Sequence, residues 1–257
     1  MILDEIVART RADLDQKKRL KPVAVLKAMA ADAPKPRDFG AALKKPGLSV
    51  IAEVKKTSPS RGVIRADFAP AMIAAAYEAG GAAAISVLTE PHYFQGSLDY
   101  LGVVRGVVGP DMPLLRKDFI VDPYQIYEAA AYGADAVLLI AAVLEPENLR
   151  QMLGLSGDLG LDCLVEIHNE AELTQVLDCS AGIIGINNRN LHDFSVDITT
   201  TRNLLSQIPK GLVTVSESGI KTRADIERIR GWGADAILIG EALTSAPDIL
   251  GKMRELL

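Results

Sequence analysis

The sequence is short of several features that mark particular classes of protein. Its only cysteines are Cys163 and Cys179, which lie in apolar segments without metal-ligand spacing, so buried, reduced thiols are expected. There is no excess of positive charge either, because the net charge is -5. A partner such as nucleic acid or a membrane surface usually leaves a basic imbalance, so neither is expected.

Targeting and membrane-spanning signals are also lacking. The first ten residues, MILDEIVART, carry acidic side chains early and have no basic, apolar signal pattern. No apolar run has the length that a transmembrane helix needs. A cytoplasmic protein is therefore predicted. No G-x-G-x-x-G follows a predicted strand, which disfavours an open dinucleotide-binding sheet.

What the sequence does contain is enough apolar material for a large core, with 49% hydrophobic residues in 257. Residues 1–46 are predicted to form an N-terminal helical extension that begins with an amphipathic helix over residues 2–20. The extension has too few apolar positions to fold alone. Residues 47–257 are assigned to the main body, and the whole chain to a single domain.

One joint between a helix and a strand is repeated three times in this main body. The segments are AGGAAAISVL from Ala79, YGADAVLLIA from Tyr132 and WGADAILIGE from Trp232, and each has a glycine suited to a helix C-terminus before an apolar strand. Five further strand-like runs bring the total to eight, with helical runs between them. Strands of this kind form a parallel sheet covered by helices. The pattern predicts an α/β protein with a single (β/α)8 barrel, or TIM barrel.

The segment IAEVKKTSPS, residues 51–60, places charges where the first predicted strand ends. Because strand side chains alternate between two faces, Glu53 and Lys55 share the face of Ile51. Inside a barrel both would emerge at the C-terminal mouth, where such barrels keep their active sites. The alternative is a surface ion pair that ends an edge strand.

Polar residues recur at the ends of the later predicted strands, and in a barrel these ends converge. The strings and their polar residues are LLRKDF with Lys117, LVEIHN with Glu166, GINNRNL with Asn187, Asn188 and Arg189, SESGI with Ser216, Ser218 and Gly219, and LIGEAL with Gly240 and Glu241. Charged residues at so many apolar strand ends predict one polar pocket.

Taken together with SVLTEPHYFQGS and LLRKDFIVDPYQIYEA, these strings resemble the indole-3-glycerol-phosphate synthase family over nearly the whole chain. The resemblance implies a (β/α)8 barrel that closes a pyrrole ring on a carboxyphenylamino-deoxyribulose phosphate and releases carbon dioxide and water. It implies an anionic phosphosugar substrate. Because carbon dioxide leaves from a ring that has already lost its aromaticity, no cofactor or metal is expected, and a monomer is predicted. No second barrel follows Leu257, so a monofunctional enzyme is expected.

The resemblance also implies roles for particular residues. Lys117 is similar to the general acid that protonates the substrate ketone, and Glu166 to its carboxylate partner. Glu53 and Lys55 are similar to the pair that assists dehydration, although which lysine acts at which step stays open. The remaining assignments are polar support of the site (Asn187, Ser218), a ligand for the substrate carboxylate (Arg189), apolar lining (Phe94, Phe119, Leu138, Leu164, Leu191), phosphate-binding backbone (Gly219, Gly240) and further substrate contacts (Ser58, Glu241).

The chemistry of the residues agrees with these roles. Attack on a ketone needs an acid beside the carbonyl oxygen, and a second cation nearby makes a lysine easier to deprotonate. The guanidinium of Arg189 offers the planar fork that a carboxylate fits. Backbone amides after the last two strands often bind phosphate in such barrels.

Plainer interpretations remain for each residue. Lys117 could pair with Asp118, Glu166 could cap a helix, Arg189 could be a solvated charge, and the apolar residues could be ordinary core. The three histidines, His92, His168 and His192, match no metal-ligand spacing and are expected to be structural. Two other functions stay open: a phosphosugar isomerase such as phosphoribosylanthranilate isomerase, and a non-catalytic barrel.

Overall fold

The computed structural model describes residues 2–190 and 193–257, and within them eight parallel strands close into a barrel. Each barrel strand pairs with the next one along the chain, and the last pairs with the first. The barrel strands are β1 (Ser49–Val54), β4 (Ala84–Leu88), β5 (Leu114–Lys117), β6 (Ala136–Ile140), β7 (Asp162–Ile167), β8 (Ile183–Asn187), β9 (Val213–Glu217) and β10 (Ala236–Ile239). The predicted (β/α)8 barrel is confirmed.

Helices lie around the barrel and before it. Their bounds are α1 (Ile2–Leu20), α2 (Val23–Asp32), α3 (Phe39–Leu43), α4 (Pro70–Ala79), α5 (Asp99–Arg105), α6 (Pro123–Ala131), α7 (Pro146–Asp158), α8 (Glu170–Asp178), α9 (Thr199–Leu205), α10 (Arg223–Trp232), α11 (Glu241–Thr244) and α12 (Ile249–Leu256), with a 3-10 helix at Ala141–Val143. A hairpin of β2 (Thr57–Ser58) and β3 (Gly62–Val63) follows β1. The sequence pattern did not predict this hairpin, which needs only two residues in each strand.

The repeated joints have the geometry that their sequences predict. Gly81, Gly133 and Gly233 follow α4, α6 and α10 with φ of 88°, 78° and 93°. This left-handed backbone ends a helix at little cost only for glycine. The chain then turns directly into the strands β4, β6 and β10.

Alternation along the strands divides the apolar residues into two cores. Ile51 packs inside the barrel with Ala84, Leu115 and Leu138. Val50, Ala52 and Val54 of the same strand face outward and pack beneath the helices. The predicted division of β1 into two faces is therefore confirmed, and it directs Glu53 and Lys55 to the inside.

The N-terminal extension reaches both ends of the barrel. Phe39 and Leu43 of α3 are fully buried among the interior strand residues at the N-terminal end, where the Gly40 amide donates to Asp162 Oδ2 at 2.9 Å. At the other end, Ile2 and Ile6 of α1 line the mouth. The extension thus closes the bottom of the barrel and covers part of its top.

No helix within residues 2–190 and 193–257 combines the length and apolarity that crossing a bilayer requires.

Candidate active site

A cavity of about 790 Å³ opens at the C-terminal ends of the strands and brings most of the predicted site residues together. Those that line it are Glu53, Lys55, Ser58, Phe94, Lys117, Phe119, Leu138, Glu166, Asn187, Arg189, Ser218, Gly219, Gly240 and Glu241. They come from every part of the barrel. The geometry therefore forms one pocket from residues that are far apart in the sequence.

One predicted substrate contact among the described residues is not part of the lining. Leu164 is fully buried inside the barrel, two residues before Glu166 on β7. It lies one layer below the cavity because inward-facing residues of a strand are two apart, so its prediction as a substrate contact is replaced by a core position. Leu191 lies outside the described residues, as does His192.

The Lys117 ammonium lies at the centre of the polar part of the cavity. Its Nζ is 3.1 Å from Glu166 Oε2 and 3.3 Å from Glu217 Oε2. The other Glu166 oxygen, Oε1, accepts a hydrogen bond of 3.1 Å from Asn187 Nδ2. Asp118 does not pair with Lys117: it faces away from the barrel interior and binds Arg116. The interpretation of Lys117 and Asp118 as a mouth salt bridge is thus wrong.

Glu217 is a site residue that the sequence analysis missed. Val213, Val215 and Glu217 alternate along β9, and both valines face the barrel interior, so alternation alone would have directed Glu217 inward. Ser216, which was assigned to the mouth, faces outward instead and hydrogen-bonds to Asn188 and Thr201. Asn188 likewise serves this buried link between the barrel and α9.

Burial and neighbouring charges govern the ionisation of this centre. Burial favours the neutral form of Lys117, but the negative charges of Glu166, Glu217 and Glu53 outweigh it and raise the pKa of Lys117 above its usual value. The lysine therefore stays protonated. The expectation that a second cation would make it easier to deprotonate is not met, because the charges that shift its pKa most are those of the three carboxylates.

The two carboxylates of this centre are shifted in opposite directions. Burial opposes ionisation of Glu166, but the Lys117 charge and contacts from His168 and Asn187 hold its pKa below the usual range. Burial and the charge of Glu166 raise the pKa of Glu217 to about 7. Glu217 Oε1 is fully buried against Gly185 and has no hydrogen-bond partner among the described residues, so this acceptor is unsatisfied.

Glu53 and Lys55 form the second charged pair, and they are in direct contact. Their side chains are 6% and 17% exposed, so the pair is buried and the surface ion-pair interpretation is excluded. Gly240 lies against this pair: a Cβ there would overlap the Glu53 carboxylate. A glycine is therefore needed at the end of β10 for the pair to fit.

The turn after β9 has an unusual backbone. Ser218 and Gly219 have φ of 66° and 80°, a conformation that is uncommon for serine and suggests a functional constraint. Ser218 O accepts a hydrogen bond of 3.1 Å from Asn188 Nδ2. The buried link to α9 thus fixes this turn.

Further cations line the cavity beside the predicted phosphate-binding glycines. They are Arg61, Lys221 and Lys252. Arg61, just before β3, reaches Glu241 with an N–O distance of 2.6 Å. The hairpin after β1 is thereby tied to the start of α11, which follows the neighbouring strand β10.

An apolar wall completes the cavity. The rings of Phe94 and Phe119 lie 6.0 Å apart at 36°, and Leu138 and Ile6 also line the space. Phe94 and Phe119 are only half-buried, in contrast to core side chains. This wall offers a planar aromatic group a surface next to the charged centre.

A closed (β/α)8 barrel with buried lysines and carboxylates at its C-terminal mouth belongs to the class of acid–base enzymes built on this fold. Solved structures agree on the fold: KGPDC from Streptococcus mutans has a TM-score of 0.62 at 14% identity, covering 82% of this chain and 95% of that one. The 3-hexulose-6-phosphate synthase of Salmonella typhimurium has a TM-score of 0.63 at 12% identity, covering 81% and 96%.

Sequence comparison gives the family. The family model for indole-3-glycerol phosphate synthase matches residues 3–256. Curated proteins of that name are similar over their full length: 53% identical in Dehalococcoides mccartyi strain CBDB1, covering all of both chains, and 50% identical in Roseiflexus castenholzii, covering 99% of this chain and 97% of that one. The chain belongs to the indole-3-glycerol phosphate synthase family. It is a carboxy-lyase of tryptophan biosynthesis.

Proposed function

We propose that this cavity closes the indole ring of 1-(2-carboxyphenylamino)-1-deoxyribulose 5-phosphate through the centre formed by Lys117, Glu166 and Glu217. The observation that carries the proposal is the position of Lys117 Nζ, 3.1 Å from one buried carboxylate and 3.3 Å from the other. The carboxylates keep the ammonium protonated, which is the form that a general acid requires.

Ring closure needs a proton at the ketone oxygen. The aromatic carbon that carries the carboxylate attacks the ketone carbon, and Lys117 donates its proton as the carbonyl oxygen becomes a hydroxyl. Glu166 holds the ammonium in place and offsets the positive charge that develops on the ring. The C–CO2 bond then breaks, and its electron pair restores the aromatic ring without a cofactor.

Dehydration completes the reaction at the other charged pair. Lys55 donates a proton to the leaving hydroxyl while Glu53 takes a proton from the neighbouring carbon, so that water departs and the pyrrole double bond forms. Glu53, in contact with Lys55, keeps that ammonium aimed into the cavity. Glu217 acts through Lys117, whose ammonium its Oε2 contacts at 3.3 Å.

Binding follows the division of the cavity into charged and apolar walls. The aromatic ring lies against Phe94, Phe119 and Leu138, and the fork of Arg189 binds the carboxylate. The phosphate lies at the backbone of Gly219 and Gly240, with the cations Arg61, Lys221 and Lys252 on that side of the mouth. Ser58, Asn187, Ser218 and Glu241 complete the polar contacts.

The test is the appearance of indole fluorescence when purified protein is mixed with the substrate. Lys117→Ala and Glu166→Gln are expected to lower kcat by at least about 10²-fold, and the exposed Lys210→Ala is the control that keeps wild-type activity. Full activity in Lys117→Ala would refute the assignment of the acid. A wild type that forms no indole product but isomerises phosphoribosylanthranilate would support the isomerase instead.

We also propose that the enzyme works as a monomer in the cytoplasm, without nucleic acid or membrane partners. The net charge of -5 supports this. Light scattering that gives the mass of a dimer at working concentration would contradict the monomer.

A further inference from the structure

His168 contacts the proposed catalytic carboxylate from outside the cavity. It follows β7, and its side chain is 11% exposed. Its Nε2 is 3.3 Å from Glu166 Oε1, a charge contact without the alignment of a hydrogen bond, and no better acceptor is present within the described part of the chain. The ring is not part of the cavity lining. Whatever His168 does for the reaction, it therefore does through Glu166.

A second carboxylate holds the other side of the imidazole. His168 Nδ1 is 3.0 Å from Glu172 Oε2, and that oxygen also accepts the His168 backbone N–H at 2.8 Å. Glu172 Oε1 accepts a bond of 2.7 Å from Asn169, the residue that caps α8. Glu172 is thus fixed at the start of the helix, and the ring cannot turn away from Glu166 without breaking these bonds.

Glu166 and Glu172 are the two ionisable groups, among the described residues, that contact the ring and shift its pKa. Neighbouring β6, β8 and the 3-10 helix carry no ionisable side chain. On α7, Glu147 and Arg150 pair with each other at the surface, and Glu170 of α8 bonds to Gln207. Burial lowers the pKa of His168, but Glu166 and Glu172 outweigh this and raise it to about 10.

We propose that His168 is a positioning residue: as an imidazolium clamped between Glu172 and Glu166, it fixes the charge and orientation of Glu166 so that Oε2 of that carboxylate faces Lys117. The result is a row of alternating charges, Glu172, His168, Glu166 and Lys117, that leads from the surface helix α8 into the cavity. This inference rests on the proposed role of Glu166.

The charge state of His168 can be measured directly. In protein with ¹⁵N-labelled histidine at pH 8, imidazolium signals are expected that disappear in His168→Gln. A histidine of ordinary pKa is neutral at this pH. A spectrum that contains no imidazolium signals at pH 8, or whose imidazolium signals all persist in His168→Gln, would overturn the proposal.

The kinetic test compares substitutions that keep or remove the charge. His168→Gln is expected to lower kcat about tenfold with KM within about twofold of wild type, because a displaced carboxylate affects the chemistry and not substrate binding. His168→Lys, which restores a cation, should recover part of this loss. Glu172→Gln should lower kcat in the same direction, and its matched control on the same helix, Glu170→Gln, should not.

Each outcome decides the question. If kcat is unchanged in His168→Gln, His168 is only a packing residue. The same conclusion follows if His168→Gln and His168→Lys lose equal activity while Glu172→Gln keeps that of the wild type. If His168→Gln does not fold, two measurements still test the proposal. They are the histidine spectrum of the wild type and the comparison of kcat between Glu172→Gln and Glu170→Gln. Full activity in Glu166→Gln would instead refute the proposed function of the centre.

Discussion

Gly185 on β8 leaves the space that the Glu217 carboxylate occupies on β9. A Cβ built at Gly185 would overlap Glu217 Oε1 and would lie 3.2 Å from Leu164 Cδ1. The barrel interior is closely packed here, so the smallest side chain on one strand determines where the carboxylate of the next can lie.

Gly185→Ala is therefore expected to displace the Glu217 carboxylate and lower kcat by about tenfold or more. The fold should survive, since the overlapping atom is the end of a flexible side chain. Gly154→Ala is the control, because that helical glycine is exposed and has nothing within 4 Å of the added methyl. Wild-type kcat in Gly185→Ala would show that the position of Glu217 does not matter for the reaction.

The raised pKa of Glu217 has a consequence for stability. Its folded pKa of about 7 lies above the unfolded value of about 4.3, so the native state binds the proton more tightly. The contribution of this group to stability falls as pH rises from the unfolded pKa through the folded one. Glu217→Gln should thus have a higher Tm than wild type at pH 8 and a smaller advantage at pH 5, while kcat falls. Thermal unfolding at both pH values measures this; equal Tm differences would contradict it.

The first helix supplies part of the cavity wall through Ile6, which is 3% exposed. Ile6→Ala removes buried methyl and methylene groups, each worth about 0.8 kcal/mol when it leaves water. KM for the substrate is therefore expected to rise about tenfold, which corresponds to about 1.4 kcal/mol. Leu20→Ala on the same helix, at a position 77% exposed, is the matched control. Steady-state kinetics of both variants would reveal an unchanged KM if α1 merely packs on the rim.

Arg189 distinguishes the substrate from the product, because decarboxylation removes the group that Arg189 is proposed to bind. Arg189→Lys keeps the charge but loses the bidentate fork. Substrate affinity is expected to fall by about 10-fold or more, while inhibition by indole-3-glycerol phosphate should stay within about twofold. An equal loss of affinity for the substrate and for indole-3-glycerol phosphate would show that the guanidinium binds a group that both contain, for example the phosphate.

How far the sequence determines the site depends on the kind of contact. Alternation along β1 is a local property, so it was enough to direct Glu53 and Lys55 inward, and the same rule applied to β9 would have identified Glu217. The glycines of the repeated joints were equally local, since each must adopt a left-handed backbone that other residues avoid.

Contacts between separate segments are a different matter. The contacts of Lys117 with Glu166 and Glu217 join three different strands. The pairing of Arg61 with Glu241 joins the hairpin after β1 to the helix after β10. Helical periodicity gave α1 an apolar face but not the surface that this face covers. Whether Leu164 belongs to the core or lines the cavity depends on its layer within the barrel interior. Alternation shows only that the side chain points inward, not in which layer it lies.

The extension that seals the bottom of the barrel and lines its mouth also constrains the order of assembly. Ile2 and Lys252 line the same cavity, and Phe39 packs with Ala236, so residues near the two ends of the sequence meet at both faces. Contacts of such high sequence separation form slowly, because a long loop must close before they are gained. On a ribosome, the opening helices must wait for β10 and α12 to emerge, and catalytic competence arrives only when nearly all of the chain has been made.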